Sequence, residues 1–158
     1  MSFEGFPDEG LVFYEGLGAD NTKTYWTRGK SSYEAHVRAP LLALLAELAP
    51  EFGTAKVFRP YRDVRFSNDK TPYKTHQGAV ITPEGRGVGS WYVQISADGL
   101  GVAGACWRLD SDQVGRFRRG IADPVQGRRL EQEVTRLSDV GFSIDGERVS
   151  RVPTGFSK

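Results

Sequence analysis

The chain is poor in the residues that ligate metals and form cross-links: its 158 residues include one cysteine and two histidines. The lone Cys106 excludes an internal disulfide and suits a reducing, cytoplasmic setting. Cys106, His36 and His76 together fall short of the four ligands of a structural zinc site. No apolar run reaches the about 18 residues of a membrane-spanning helix, so no membrane partner is expected. The N-terminus, Met1-Ser2-Phe3-Glu4-Gly5-Phe6, is acidic and polar, unlike a signal peptide. Linkers, repeats and low-complexity tracts are missing, and the length fits one domain over 1–158. A strong charge imbalance is missing too. The net charge is +1 and the pI about 7.9, below that of a dedicated nucleic-acid domain.

What is present is a local concentration of charge. Between Lys56 and His76 six cations (Lys56, Arg59, Arg62, Arg65, Lys70, Lys74) meet two acids, Asp63 and Asp69. The local balance of +4 leaves −3 for the rest of the chain. If 58–66 is extended, Arg59, Tyr61, Asp63 and Arg65 point one way and Phe58, Arg62, Val64 and Phe66 the other. One acid then faces two arginines, and Lys70 and Lys74 follow with almost no acid to pair with. Adjacent arginines hold Asp63 in its charged form, which makes it a poor base near neutrality. Its role is to orient Arg62 or Arg65 by bidentate hydrogen bonds.

The surrounding pattern predicts an α+β fold, an antiparallel β-sheet packed against N-terminal and C-terminal helices. A first helix spans 8–18, with Asp8 as its cap and Gly18 as its stop. A short second helix over 21–28 carries Trp26, which is expected in the core. Ser31 and Glu34 have capping-box spacing and open a third helix over 32–49, kinked at Pro40 and ended by Pro50. Thr54–Arg59 reads as a strand. Pro60 and Pro72 make 60–75 ordered but irregular. Strands follow on both sides of Gly85–Gly89 and return across Asp98-Gly99. Asp110 starts one helix, and Asp123-Pro124 caps and opens another. A small hairpin over 142–149 closes the chain.

Several motifs resolve on their context. Gly99-Leu100-Gly101-Val102-Ala103-Gly104 matches a dinucleotide fingerprint, but it follows a turn and runs into a strand rather than opening a helix. A hairpin whose glycines allow close packing of a helix or an aromatic ring is expected instead. Cys106 reads as a buried thiol rather than a nucleophile. Arg116, Arg118, Arg119, Arg128 and Arg129 read as solvated helix faces. Neither a metal nor a cofactor is expected.

The string Arg59-x-x-Arg62-Asp63-x-Arg65-Phe66-x-x-x-Lys70-x-x-Tyr73 resembles the signature of an uncharacterised family of bacterial and fungal proteins, domain of unknown function 2461. Phe3-x-Gly5-Phe6, Asn21, Trp26, Lys30, Tyr33, Pro40, Trp91-Tyr92 and Gly101–Trp107 extend the resemblance over nearly the whole chain. It implies importance for these residues without assigning an activity. It also implies a continuation beyond Pro153-x-Gly155-Phe156, and a chain that stops there is expected to expose apolar surface near Phe142 and Phe156.

Two uses of the cationic stretch remain. In one, arginines and aspartates form an ion-pair network and Tyr61, Phe66 and Tyr73 fill the core. In the other, Arg59, Arg62, Arg65 and Lys70 converge on a phosphorylated or carboxylated ligand, a small anionic partner. Asp63 then sets the arginine geometry, and Tyr73 and His76 line the pocket. A nucleic-acid partner is one alternative, with the same cations on phosphates and Tyr61, Trp91 or Tyr92 as stacking platforms, and a structural or protein-interaction role is the other. Whether a reaction follows binding is left open by these residues.

Overall fold

The computed structural model describes residues 2–85, 89–106, 109–146 and 150–156. The chain forms two compact units, Met1–Trp107 and Arg108–Lys158. The first holds α1 (Asp8–Ala19), α2 (Lys23–Tyr33), a π-helical turn (Glu34–Arg38) and α3 (Ala39–Phe52). Four strands follow, β1 (Thr54–Val57), β2 (His76–Thr82), β3 (Gly89–Ser96) and β4 (Gly99–Cys106). Each pairs antiparallel with the next, in the order β1-β2-β3-β4. Helices precede and follow the strands along the chain, so the α+β class holds. Among the described residues, no helix is long and apolar enough to cross a membrane.

The helices depart from the sequence reading at their ends. Asp8 lies inside α1, where its charge suits the positive helix end, and Pro7 takes the cap position without a side-chain bond. Gly18 stays helical, and Asp20 closes α1 through its N–H to the Gly16 carbonyl. The capping box at Ser31 does not form. Thr22 is the cap instead, its Oγ1 accepting from the Tyr25 N–H at 3.2 Å, and the helix runs through Ser31 unbroken. Ser32 Oγ and His36 Nδ1 are then hydrogen-bonded at 3.1 Å, one turn apart.

Pro40 sets the geometry of the turn before it. It has no N–H to offer the carbonyls behind it. The ladder slips to five-residue spacing, with the Ala39 N–H donating to the Glu34 carbonyl. α1 crosses at this point so closely that a Cβ on Gly10 would lie 2.6 Å from the His36 carbonyl oxygen. Pro50 does not end α3. The end comes at Gly53, whose φ of +103° and whose crowding against Thr82 both require glycine.

The sheet reads with the period of two that one covered face demands. Gln77, Ala79 and Ile81 of β2 and Val93 and Ile95 of β3 are buried. One core cluster gathers Phe13, Tyr14, Leu17, Trp26, Tyr33, Val37, Tyr73 and Ile95. A second gathers Leu41, Leu45, Ala79, Ile81 and Val93. Each fully buried aliphatic side chain here contributes about 1.5–3 kcal/mol. The glycine string lies in β4 of the expected hairpin. Gly99, at φ +96°, completes the turn, and the Trp91 ring lies against Gly104, where a Cβ would meet it at 3.1 Å.

In the second unit, Asp110 and Gln113 form a reciprocal capping box at α4 (Ser111–Ala122). Asp123 caps α5 (Pro124–Asp139) by accepting from the Val125 and Gln126 N–H groups. The five arginines of the second basic group lie on these two helices. No strand forms over 142–146, which corrects the terminal hairpin as far as it is described; residues 147–149 lie outside the described residues. Phe142 and Ile144 are exposed and Phe156 is half-buried.

Two buried tyrosines make opposite predictions. The Tyr33 hydroxyl donates to Gln77 Oε1 at 2.6 Å, and Tyr33→Phe strands that buried oxygen. Chemical denaturation should show a loss of about 1–3 kcal/mol. The Tyr14 hydroxyl is buried with no partner among the described residues, and burial raises its pKa. Tyr14→Phe should therefore be neutral or slightly stabilising in the free protein.

Candidate functional site

The cationic segment is the connection between β1 and β2, closed at its start by the buried Gln77 and at its end by the half-buried Asn21. At its start, the Phe58 N–H donates to the Gly78 carbonyl at 2.9 Å, and Gln77 Nε2 donates to the Phe58 carbonyl at 2.6 Å. At its end, the Asn21 amide clamps the Tyr73 backbone, accepting from its N–H and donating to its carbonyl, both at 3.0 Å. Tyr61 and Tyr73 face each other as an isolated antiparallel bridge. Arg62 N–H to Pro72 O and Lys74 N–H to Pro60 O, each 2.9 Å, flank that pair. Trp26 stacks on the Tyr73 ring at 4.5 Å with 9° between the planes. Tyr73 is thus a buried member of the aromatic core, not part of an open pocket wall as the sequence suggested.

Inside this closure the two acids organise the loop. Asp63 accepts from Arg65 Nε at 3.0 Å and Nη2 at 2.7 Å, and its Oδ1 also accepts from the Arg65 N–H. That local turn ends the extended stretch, so 58–66 does not alternate throughout as expected. The bidentate role of Asp63 is found toward Arg65, while Arg62 pairs with Asp69. Asp69 Oδ1 also accepts from the Thr71 N–H and Oγ1. Lys70 Nζ donates to the Val64 carbonyl at 2.9 Å. Phe66 is not a core residue; it is 96 % exposed, with the Arg65 guanidinium 5.9 Å from its ring centre.

The four cations named from sequence therefore do not form one group. Arg65 and Lys70 are engaged within the loop, and the Arg65 side chain is largely exposed. Arg62, Lys74 and His76 act on one another, and Arg59 acts on Lys74 and on Asp63. Arg62 and Lys74 are diagonal neighbours across the Tyr61–Tyr73 bridge, on the side opposite the two rings. Lys74 Nζ sits 5.4 Å from the centre of the Phe58 ring. Burial lowers the Lys74 pKa, and Arg59 and Arg62 lower it further. Burial likewise lowers that of His76, with Lys74 and Arg62 adding to the shift. Among the described residues neither Arg59 nor Lys74 has an ion-pair partner.

Lys74 was visible in the sequence only as one more cation; its place beside Arg62 is set by the bridge register. Asn21 and Gln77, which hold the segment, carry no local signal of that role. Cys106 is exposed, not buried as expected. No cluster of three or more His, Cys, Asp or Glu able to hold a metal occurs among the described residues. Residues 9–158 match the family model described as conserved hypothetical protein DUF2461. No curated protein and no solved structure matches the chain.

The Arg65 hydrogen bonds, and then its charge and that of Arg59, hold Asp63 down to a pKa of about 2, against an ordinary 3.8. A depressed carboxyl stabilises the loop above its unfolded value and loses that contribution as pH falls toward the folded one. The loop should stay locked above about pH 4 and loosen toward about pH 2. An NMR titration of the Asp63 carboxyl should give a midpoint near 2 in the wild type. In Arg65→Met the midpoint should return toward the ordinary value.

Proposed function

We propose that this chain, which belongs to the DUF2461 family, binds a phosphorylated or carboxylated ligand through Arg59, Arg62 and Lys74. One observation carries this reading: Arg62 and Lys74 are diagonal neighbours across the Tyr61–Tyr73 bridge, and Arg59 and Lys74 have no ion-pair partner among the described residues. Asp63 is taken by Arg65, and Asp69 divides its oxygens between Thr71 and Arg62. Neighbouring like charges repel, and more strongly as the effective dielectric constant around them falls. A bound anion reverses the sign of that term. Guanidinium forks suit the planar edges of carboxylate and phosphate, and an ammonium adds a point charge. The clamped ends preorganise the group, so little ordering is left for the ligand to impose. Arg65 and Lys70 act here as buttresses of the loop.

The nucleic-acid reading has its own support in the exposed aromatic rings. Phe66 is 96 % exposed beside Arg65, and Tyr61 and Trp91 are about half exposed, as stacking on unpaired bases requires. Multiple phosphate contacts make such binding fall steeply with salt, while a small-ligand pocket responds mildly.

Lys74→Met and Arg59→Met keep the apolar stems and remove the charges. Both variants should melt close to the wild type, within about 0.5 kcal/mol. The wild type should gain about 2.7 kcal/mol at a phosphate or sulfate concentration of about 100 times Kd. The variants should lose that gain. A wild type that ignores every such anion at low ionic strength sinks the reading. Tight oligonucleotide binding that collapses with added salt favours the second.

A further inference from the structure

We propose that the anion site opens into the cleft beside His76 and that its ligand is a phosphomonoester of an uncharged, hydroxyl-rich molecule such as a sugar or polyol. This inference rests on the anion reading above. The cleft has a volume of about 470 Å³, within the range of small-ligand pockets. Its lining includes Glu15 from α1, Thr75 just before β2 and His76 at its start, and Gln94, Ser96 and Asp98 from the end of β3 and its turn. Thr75 and His76 directly follow Lys74, so the cleft begins where the cationic group ends. His76 belongs to both: it lines the cleft, and it feels the charges of Lys74 and Arg62.

The chemistry of the lining changes along its length. Its Thr75–His76 end adjoins the cations through Lys74, although no Lys or Arg among the described residues lines the cleft itself. Further on it offers hydroxyl, amide and carboxylate groups whose hydrogen-bonding capacity is only partly used. Gln94 Oε1 accepts from the Tyr92 hydroxyl, which leaves the amide N–H groups to donate. Ser96 Oγ accepts from the Asp98 N–H, which leaves its own O–H to donate. The carboxylates of Glu15 and Asp98 are on exposed residues and only accept. A mixture of donors and acceptors of this kind matches the hydroxyls of a polyol. Tyr14, whose buried hydroxyl has no partner among the described residues, also lines the cleft.

The two carboxylates also determine what is turned away. A second phosphate at that end would face Glu15 and Asp98, and like charges held together cost free energy. The site therefore has a polarity, with the phosphate toward Lys74 and the uncharged body toward Asp98. A polyanion that carries charge along its whole length does not fit it.

The test is calorimetric titration with inorganic phosphate, glycerol 3-phosphate, ribose 5-phosphate, glucose 6-phosphate and glucose 1,6-bisphosphate. At least one of the three monophosphates should bind about tenfold more tightly than phosphate, the gain that one or two hydrogen bonds to charged groups supply. Glucose 1,6-bisphosphate should show no advantage over glucose 6-phosphate. Glu15→Ala/Asp98→Ala should lose the monophosphate advantage and keep the response to phosphate. Gln94→Ala is a second probe, read in the same way. If phosphate and all three monophosphates bind equally, or if the advantage survives in both variants, this inference is overturned and the anion site stands. If the wild type binds none of them, both readings fall together.

Discussion

The buried amide of Gln77 is the constraint on which the rest of the first unit depends. Its oxygen accepts from the Tyr33 hydroxyl on α2, and its nitrogen donates to the Phe58 carbonyl, where the cationic segment leaves β1. One side chain, 1 % exposed, thus joins α2, the sheet and the cationic loop. A buried amide is costly unless its groups are met, and here the oxygen and the nitrogen both are. Asn21 does the corresponding task at the other end by gripping both polar groups of Tyr73. The segment between them is therefore fixed in place although most of its side chains face water.

That arrangement divides the charged residues into two sets. Asp63 and Arg65, with Lys70 on the Val64 carbonyl, shape the loop from within. Such pairs on exposed side chains add little to global stability, and their value is geometric. In the other set, Arg62 and Lys74 flank the Tyr61–Tyr73 bridge, Arg62 also pairing with Asp69, while Arg59 and Lys74 have no ion-pair partner among the described residues. The aromatic core behind the bridge supplies the rigidity: Trp26 stacks on Tyr73, and Tyr61 tilts against it at 5.3 Å between ring centres.

Much of the fold was legible because its signals are local. The helix start at Asp110, the Asp123-Pro124 start and the turn before Gly99 each need only a few neighbouring residues to act. The box at Ser31–Glu34 carried the same kind of signal and failed. Thr22 had already capped the helix upstream, and the burial of Trp26 and Tyr33 carries it through. At the site, the sequence located the cationic segment and the bidentate habit of Asp63. It did not determine which cation takes which acid, because Asp69 reaches Arg62 only once Pro60 and Pro72 are brought beside their partners. Tyr73 misled for a similar reason. A tyrosine at the end of a basic motif looks functional, yet its ring completes a stack with Trp26, far away in sequence.

The π-helical turn also has a consequence for helical phase. Tyr33, Val37, Leu41 and Leu45 are all buried, and they are spaced by four. In an uninterrupted α-helix, steps of four residues advance by about 400° each, so a stripe of four positions wanders by about 120° around the axis. Accommodating one extra residue in a turn takes back about 100° of that drift. The slip next to Pro40 therefore keeps the stripe aligned, so that one rod serves two cores. Its N-terminal half presents Trp26 and Tyr33 to the aromatic cluster, and its C-terminal half presents Leu41 and Leu45 to the aliphatic one. The turn works as a phase corrector, and the position of the Trp26 ring behind the bridge is set partly by an irregularity several turns away.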